Sequence, residues 1–338
     1  MRLATLGIAF AGGAVLNLTN LPLAWFLGAL ISVALCSGFS KGLSVPTSWR
    51  LSGTALLGTI VGALVNSDIL QLLLNYAPSI GMMLCSQLLL VMAGTSFFLR
   101  RNSTDRLSAL LAAYPGSISQ IIALSLENKC DSQFVAINHT VRIFSVIAFI
   151  PLIIALITNG IDVEAVVTKD PDNNFVSYAW PILVAALGFI LGKCCKLISP
   201  ALFGPMMLAA FLSIAGLLPD TGIGPWLMPL AQIIIGASVG LRFQGMGLHE
   251  WKRVKSIHLP YGLVLLVFTL LASWVTHQLL GIPLNTSLLI MAPGGLSEMV
   301  LIAYSLDIDP VMVTSHHVIR SLFGFLAIPW MMRLWLRL

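Results

Sequence analysis

The stretch Pro115-Gly116-Ser117-Ile118-Ser119-Gln120 decides the fold, because it recurs as Pro293-Gly294-Gly295-Leu296-Ser297-Glu298. We call these stretches tip 1 (115–120) and tip 2 (293–298). The shift from Pro115 to Pro293, 178 positions, also relates the pairs Asp131 and Asp309, His139 and His317, Arg142 and Arg320, Gly58 and Gly236, and Gly62 and Gly240. Proline and glycine interrupt helices. A duplication of this size with interrupted apolar segments is typical of membrane transporters.

Composition indicates that most of the surface faces something other than water. Of the 338 residues, 58% are hydrophobic and 9% are charged, whereas soluble domains carry roughly 25% charged residues. Apolar runs of about 18 to 25 residues recur, which is enough to cross a hydrocarbon core of ~30 Å. The net charge of +5 resides in short connections, where it acts as a topology signal. We predict an all-α polytopic membrane protein with no nucleic-acid partner.

Twelve apolar elements are predicted, six in each half. They lie at 3–18, 21–38, 52–72, 78–99, 107–127 and 133–158, and at 177–193, 199–218, 227–247, 257–280, 286–306 and 311–332. We therefore predict a first membrane repeat over 1–161 and a second over 177–338. The stretch 162–176 contains the most polar sequence of the chain and is predicted to be an extramembrane loop between the repeats.

The charges of the connections predict that one element of the first half does not cross the membrane. The connection with Arg100, Arg101 and Arg106 is basic and is placed inside, whereas the acidic stretch 162–172 is placed outside. Two apolar elements lie between them, and two full crossings would return the chain to the inside. The element that tip 1 breaks is the candidate for a re-entrant helix, since irregular backbone at membrane depth must be buried in protein or line a cavity.

The same argument makes tip 2 a second re-entrant segment. Each half then holds five crossings and one re-entrant or broken helix, and because five is odd the two repeats are inverted. Ten crossings with both termini cytoplasmic are expected. The alternative is that a broken helix does cross and that a different element is miscounted.

The tips are candidates for substrate binding. A helix that restarts after Pro-Gly presents backbone N–H groups and a positive dipole end, which suits an anion. Small residues there let the backbone approach a ligand or the opposing tip. The alternative is a helix kink stabilised by its neighbours. The candidate residues are Pro115, Gly116, Ser117, Ser119, Pro293, Gly294, Gly295 and Ser297.

Two arginines are further candidates for substrate binding. Arg142 and Arg320 each lie about ten residues into an apolar element. An arginine at the membrane centre costs about 2.5–3.5 kcal/mol on insertion scales, so it has a partner or faces a wet cavity. Either the two arginines compensate the charge of an anion, or they are structural and neutralise helix ends or pair with an acidic residue such as Glu298.

Three titratable residues are candidates for ion coupling. His139 and His317 precede the arginines by three positions and share a helix face with them. A histidine titrates near neutral pH, although a neutral histidine bonded to the backbone is an equal alternative. Glu298 has no acidic mate, because Gln120 occupies the matching position. It is interpreted either as a proton or cation site or as the ion-pair partner of an arginine.

No catalytic, metal or cofactor site is expected. The six histidines show neither His-x-x-x-His nor Glu-x-x-His spacing, and a metal monooxygenase would need such ligands. There is no nucleotide-binding loop in the sequence, so ATP-driven transport by this chain is not expected. We therefore predict that the chain is not an enzyme.

The tips and the two Asp-x-x-x-Val-x-x-x-His-x-x-Arg stretches, 131–142 and 309–320, resemble the AbrB-type bacterial membrane protein family. The resemblance covers essentially the full length, and the family is unrelated to the small DNA-binding regulator of the same name. Its members are labelled AbrB-like regulators or ammonia monooxygenases. The resemblance implies signature positions at Pro115, Gly116, Asp131, Arg142, Pro293, Gly294, Gly295, Asp309 and Arg320. Ser117 departs from the family's second glycine, which argues against strict equivalence of the tips.

The expected architecture is also similar, at the level of fold alone, to cation–proton antiporters and bile-acid symporters. We predict a secondary transporter of a small solute, an anion rather than a cation, that works by alternating access between inverted repeats in the bacterial cytoplasmic (inner) membrane. The alternative is a membrane-embedded regulator or sensor that acts through a partner protein. The expected partners are the lipid bilayer and a small-molecule or ion substrate, and a homodimer is left open.

Overall fold

The computed structural model describes residues 2–19, 23–39, 42–65, 69–101, 104–116, 118–158, 174–197, 199–219, 223–246 and 248–337. Within these ranges every regular element is a helix, which confirms the all-α class. The first half contains α1 (Arg2–Asn17), α2 (Ala24–Phe39), α3 (Thr47–Ala63), α4 (Ile69–Asn75), α5 (Ala77–Arg101), α6 (Arg106–Ala113), α7 (Ile118–Glu127) and α8 (Ser132–Ile157).

The second half follows the same order. It contains α9 (Phe175–Cys194), α10 (Pro200–Ile214), α11 (Leu227–Gly240), α12 (Leu248–Arg253), α13 (Leu259–Leu280), α14 (Leu284–Met291), α15 (Leu296–Ser305) and α16 (Pro310–Arg337). A 3₁₀ turn, Leu241–Phe243, extends α11, and a π-helical turn, Val254–His258, joins α12 to α13.

The helix bounds repeat with the sequence. At the same shift, α6 falls on α14 and α7 falls on α15 at both ends, and the start of α8 falls on the start of α16. The predicted elements 107–127 and 286–306 are therefore each a pair of short helices, interrupted at the Pro-Gly sequences as predicted. Proline has no N–H to donate and its ring blocks the preceding turn, so the helix ends there. The inversion of the repeats and the number of crossings stay predictions.

The largest error in the predicted bounds concerns the third element. The element placed at 52–72 begins earlier, at Thr47 directly after Pro46, and ends at Ala63. Pro46 is the N-cap residue of α3, where the N–H that proline lacks would make no hydrogen bond within the helix. The polar sequence 66–68 follows the end of α3, and α4 is a separate short helix.

Five helices within the described residues are long and apolar enough to cross a membrane. They are Ala77–Arg101, Ser132–Ile157, Phe175–Cys194, Glu250–Leu280 and Pro310–Arg333, and shorter apolar helices accompany them. Large apolar side chains on these helices are exposed, among them Leu183, Ile190, Leu271 and Leu279. Exposed apolar surface of this kind suits contact with lipid rather than with water. The chain is therefore a multi-pass membrane protein.

The chain divides into two compact units. Unit 1 comprises Met1–Leu72, Gly160–Gly245 and Val300–Val311, and unit 2 comprises Leu73–Asn159, Met246–Met299 and Met312–Leu338. Each unit draws on both halves of the sequence, so the predicted repeats 1–161 and 177–338 are not themselves the compact units. The division of the sequence into these two repeats stays a prediction. Most of the predicted loop 162–176 lies outside the described residues.

In unit 1, helices of one half pack against helices of the other. α3 packs against α10, and α11 packs against α2. Gly58 and Gly62 of α3 lie so close to the carbonyls of Leu202 and Met206 that an added Cβ would overlap them. Gly236 of α11 likewise faces a carbonyl of α2. Small residues allow two helix backbones to approach this closely.

Candidate functional site

The two helix interruptions of unit 2 have the same local geometry. After α6, Tyr114 is extended and its carbonyl accepts a hydrogen bond from the N–H of Gly116 at 3.0 Å. After α14, Ala292 is extended and its carbonyl accepts from the N–H of Gly294 at 2.9 Å. A hydrogen bond between residues two positions apart closes a three-residue γ-turn, so both interruptions contain the same kind of turn. Pro115 and Pro293 are both buried.

A buried arginine binds the end of the interrupted helix in each half. Arg142 of α8 donates from Nη1 to the carbonyl of Tyr114 at 2.9 Å. Arg320 of α16 donates from Nη1 to the carbonyl of Ala292 and from Nη2 to that of Gly294, both at 2.6 Å. The side chains are only 2% and 5% exposed. Carbonyls at a helix end lack partners within the helix and carry partial negative charge. The arginines therefore make the contact expected of the structural alternative, in which they neutralise helix ends.

Both arginines are buried in the same compact unit, unit 2. Burying two positive charges in one unit destabilises it, and a negative ligand would offset that cost. The structural contact of each arginine and a role in binding an anion are therefore compatible.

The histidines repeat a second contact. His139 lies with Nε2 at 3.0 Å from the carbonyl oxygen of Leu111 in α6, and His317 lies with Nε2 at 2.9 Å from that of Leu289 in α14. Because a carbonyl oxygen only accepts, the hydrogen resides on Nε2. Both histidines are fully buried. This geometry matches the structural alternative, and their role in ion coupling stays a prediction.

Tip 2 encloses the buried carboxylate of Glu298, which is 5% exposed. Ser297 donates its hydroxyl to Oε2 of Glu298 at 3.0 Å. A Cβ at Gly295 would overlap the same oxygen, so this carboxylate position requires glycine there. In tip 1, Ser117 lies outside the described residues, while Ser119 and Gln120 lie in α7. Among the side chains that the structure describes, no three His, Cys, Asp or Glu are grouped to hold a metal ion.

Both tips line one small cavity in unit 2, which we call the tip cavity. Its volume is about 10 Å³, close to the minimum that one water molecule needs. Its lining includes Ser86, Gln87, Pro115, Met291, Pro293 and Arg320. The structure therefore brings the two prolines and one of the two predicted arginines together.

Gln87 lines this cavity but was not among the site residues predicted from the sequence. It lies within α5, is 4% exposed, and neither of its amide atoms has a hydrogen-bond partner within the described chain. The repeat could not single it out, because the matching position is Leu265. The available signal was an amide side chain in the middle of an apolar span.

The signature aspartates cap the helices that carry the arginines. Asp131 precedes α8 and accepts a hydrogen bond from the N–H of Phe134 at 2.9 Å. Asp309 precedes α16 and accepts from the N–H of Val311 at 2.9 Å. A capping carboxylate satisfies an N–H that has no partner within the helix and interacts favourably with the dipole. These residues therefore support the helices of Arg142 and Arg320.

We expect Asp131→Ala to lower the stability of the purified protein by about 0.5–2 kcal/mol, because it removes this cap. The exposed ion pair of Asp131 with Arg253, at 3.5 Å, adds little. Thermal unfolding in detergent measures the change. Asp131→Asn keeps a capping oxygen and should retain most of the stability. If asparagine costs as much as alanine, the negative charge rather than the cap is responsible.

Comparison with known proteins places the chain in a family. Residues 3–336 match the model of the AbrB family, described as "Transition state regulatory protein AbrB". "Uncharacterized protein YhjN" of Bacillus subtilis (strain 168) is 25% identical over 97% of this chain and 91% of that protein. "Putative regulator AbrB" of Escherichia coli (strain K12) is 26% identical over 91% of this chain and 88% of that protein. With its apolar helices, the chain belongs to the AbrB family of membrane proteins.

Proposed function

We propose that this protein is a secondary transporter of a small anion in the bacterial cytoplasmic membrane, with both termini in the cytoplasm. One observation carries the proposal: two interrupted helices place their prolines around one cavity, together with the buried guanidinium of Arg320. Discontinuous helices that meet around a buried site are typical of secondary transporters. The proposal includes no enzymatic activity.

The chemistry of the tips favours an anion over a cation. α7 and α15 begin within the tips, and the first N–H groups of a helix have no partner within it. They add positive partial charge to that of Arg142 and Arg320. Glu298 contributes the opposing charge at tip 2, and we assign it, with His139 and His317, to ion coupling.

Alternating access needs two bodies that change their relative position. Both tips and both arginines belong to unit 2, and each unit takes helices from both halves. The compact units are therefore better candidates for the moving bodies than the repeats themselves.

The second candidate function is a membrane regulator or sensor that binds a ligand without transporting it. The observation that favours it is the similarity to the Escherichia coli relative, which is named "Putative regulator AbrB". Such a protein needs the same binding site but no passage across the membrane.

Transport of a labelled solute into sealed liposomes tests the proposal. We expect the reconstituted protein to give saturable uptake of labelled lactate, propionate or acetate, because the tips and arginines bind a carboxylate. Protein-free liposomes provide the background, and reconstituted Arg333→Ala serves as a variant control, since Arg333 is exposed. Binding of these anions without uptake would favour the regulator, and the absence of both binding and uptake would contradict the anion site itself.

A further inference from the structure

Gln87 has a buried amide for which the described protein provides no hydrogen-bond partner. The side chain is 4% exposed, and both Nε2 and Oε1 are unpaired within the described chain. A buried amide without partners destabilises the folded state, and such groups in proteins nearly always have a partner. Because the unpaired amide of Gln87 lowers the stability of the folded protein, Gln87 is a candidate for contact with a ligand.

The other polar side chains of the tip cavity already have partners. Ser86 donates its hydroxyl to the carbonyl of Met83 at 2.8 Å. Arg320 gives two of its N–H groups to the carbonyls of Ala292 and Gly294. A guanidinium has five N–H donors and no acceptor, so Arg320 keeps its positive charge and further donors. Gln87 adds both a donor, Nε2, and an acceptor, Oε1.

We infer that Gln87 selects the ligand of the tip cavity, and that this ligand is a small carboxylate bearing a hydroxyl group next to the carboxyl. The carboxylate accepts from Arg320 and from Nε2 of Gln87, and the hydroxyl donates to Oε1. A carboxylate without a hydroxyl leaves Oε1 unpaired. This inference rests on the proposed function and deepens it by naming the class of anion.

The cavity must widen to admit such a ligand, because about 10 Å³ accommodates roughly one water molecule. Its apolar lining includes Met83, Met291 and Phe268. Methionine is unbranched and flexible, and it adapts to ligands of different shape. Rearrangement of the side chains of Met83 and Met291 is therefore the movement that would widen the cavity around the ligand.

The inference is tested with lactate and propionate, which differ by one hydroxyl, on the whole 338-residue chain in detergent and in liposomes. Wild type is expected to bind lactate at least ~10-fold more tightly than propionate, because a buried amide built to meet a hydroxyl rejects the analogue that lacks it. The variant Gln87→Leu, which introduces the residue of the matching position 265, should bring this ratio close to one. It should also raise the melting temperature of the ligand-free protein, since it removes an unpaired buried amide.

Gln232→Leu is the matched control. Gln232 is also a buried glutamine, 7% exposed, but its Nε2 donates to the hydroxyl of Ser305 at 3.1 Å in unit 1. Its replacement should lower the melting temperature and leave the preference for lactate unchanged. The two leucine variants should therefore shift stability in opposite directions, and Gln87→Leu alone should change selectivity.

The outcomes separate this inference from the proposed function. If wild type binds and transports carboxylates but Gln87→Leu keeps the wild-type ratio, the role of Gln87 is overturned and transport stands. Equal affinity of wild type for lactate and propionate also overturns it. If wild type binds neither carboxylate, both the inference and the anion site fail. A ligand-free Gln87→Leu melting at the wild-type temperature, with an unchanged ratio, would indicate that a water molecule alone pairs the amide.

Discussion

Arg320→Ala is expected to reduce the rate of carboxylate uptake about 30-fold or more. The substitution removes the positive charge at the tip cavity and the guanidinium donors of two buried carbonyls, those of Ala292 and Gly294. Within the described residues, the carbonyl of Ala292 keeps only the N–H of Gly294. Hydrogen bonds to a charged group contribute about 1.5–3 kcal/mol each, so stability should fall by about 3 kcal/mol or more. Uptake into liposomes and thermal unfolding in detergent measure the two effects.

Two further variants keep this prediction testable if the alanine variant fails to fold. Arg320→Lys keeps the charge and can donate to the same carbonyls, but it lacks the planar fork of the guanidinium. It should fold, with uptake reduced but measurable. Arg333→Ala removes an exposed arginine from the same helix and should change stability by less than about 0.5 kcal/mol. If Arg320→Ala folds and takes up carboxylates at the wild-type rate, Arg320 does not bind the substrate.

Gly58→Ala is expected to destabilise the protein by about 3 kcal/mol, the upper end of the usual cost of overpacking. The new Cβ would overlap the carbonyl oxygen of Leu202. That oxygen belongs to the backbone of α10, so it cannot move away without shifting the helix. The melting temperature and the yield of monodisperse protein should both fall.

Gly53→Ala is the control, because it makes the same change in the same helix, α3. A Cβ there would lie 3.5 Å from the side chain of Ile234, which is an ordinary contact. Since alanine favours a helix over glycine by about 1 kcal/mol, this variant should be as stable as wild type or more stable. Equal stability of the two alanine variants would show that α3 and α10 do not depend on this close approach.

The interruptions of the helices were predictable because their cause is local. Pro115 and Pro293 each end a helix within one turn, whatever surrounds them. The polar sequence after α3 was harder to interpret, and the predicted element 52–72 extended through it. Hydrophobic runs indicate that an element exists more reliably than they indicate its ends.

The role of the arginines was only half predictable. An arginine in an apolar span requires a partner, and the sequence offered an anion, an acidic side chain or a helix end. The structure shows that Arg142 and Arg320 bind the backbone beside the tips. A backbone carbonyl has no signature in a sequence, since every residue carries one.

The sequence by itself determined the membrane class, the duplicated interruptions and the pairs Arg142 with Arg320 and His139 with His317, because these follow from composition, local chain chemistry and repetition. Only the tertiary structure decided that Pro115, Pro293 and Arg320 share a cavity, that Gln87 lies unpaired beside them, and that α3 packs on α10. Such contacts join residues far apart in the chain. They arise from the packing of many helices at once, and no single stretch of sequence encodes them.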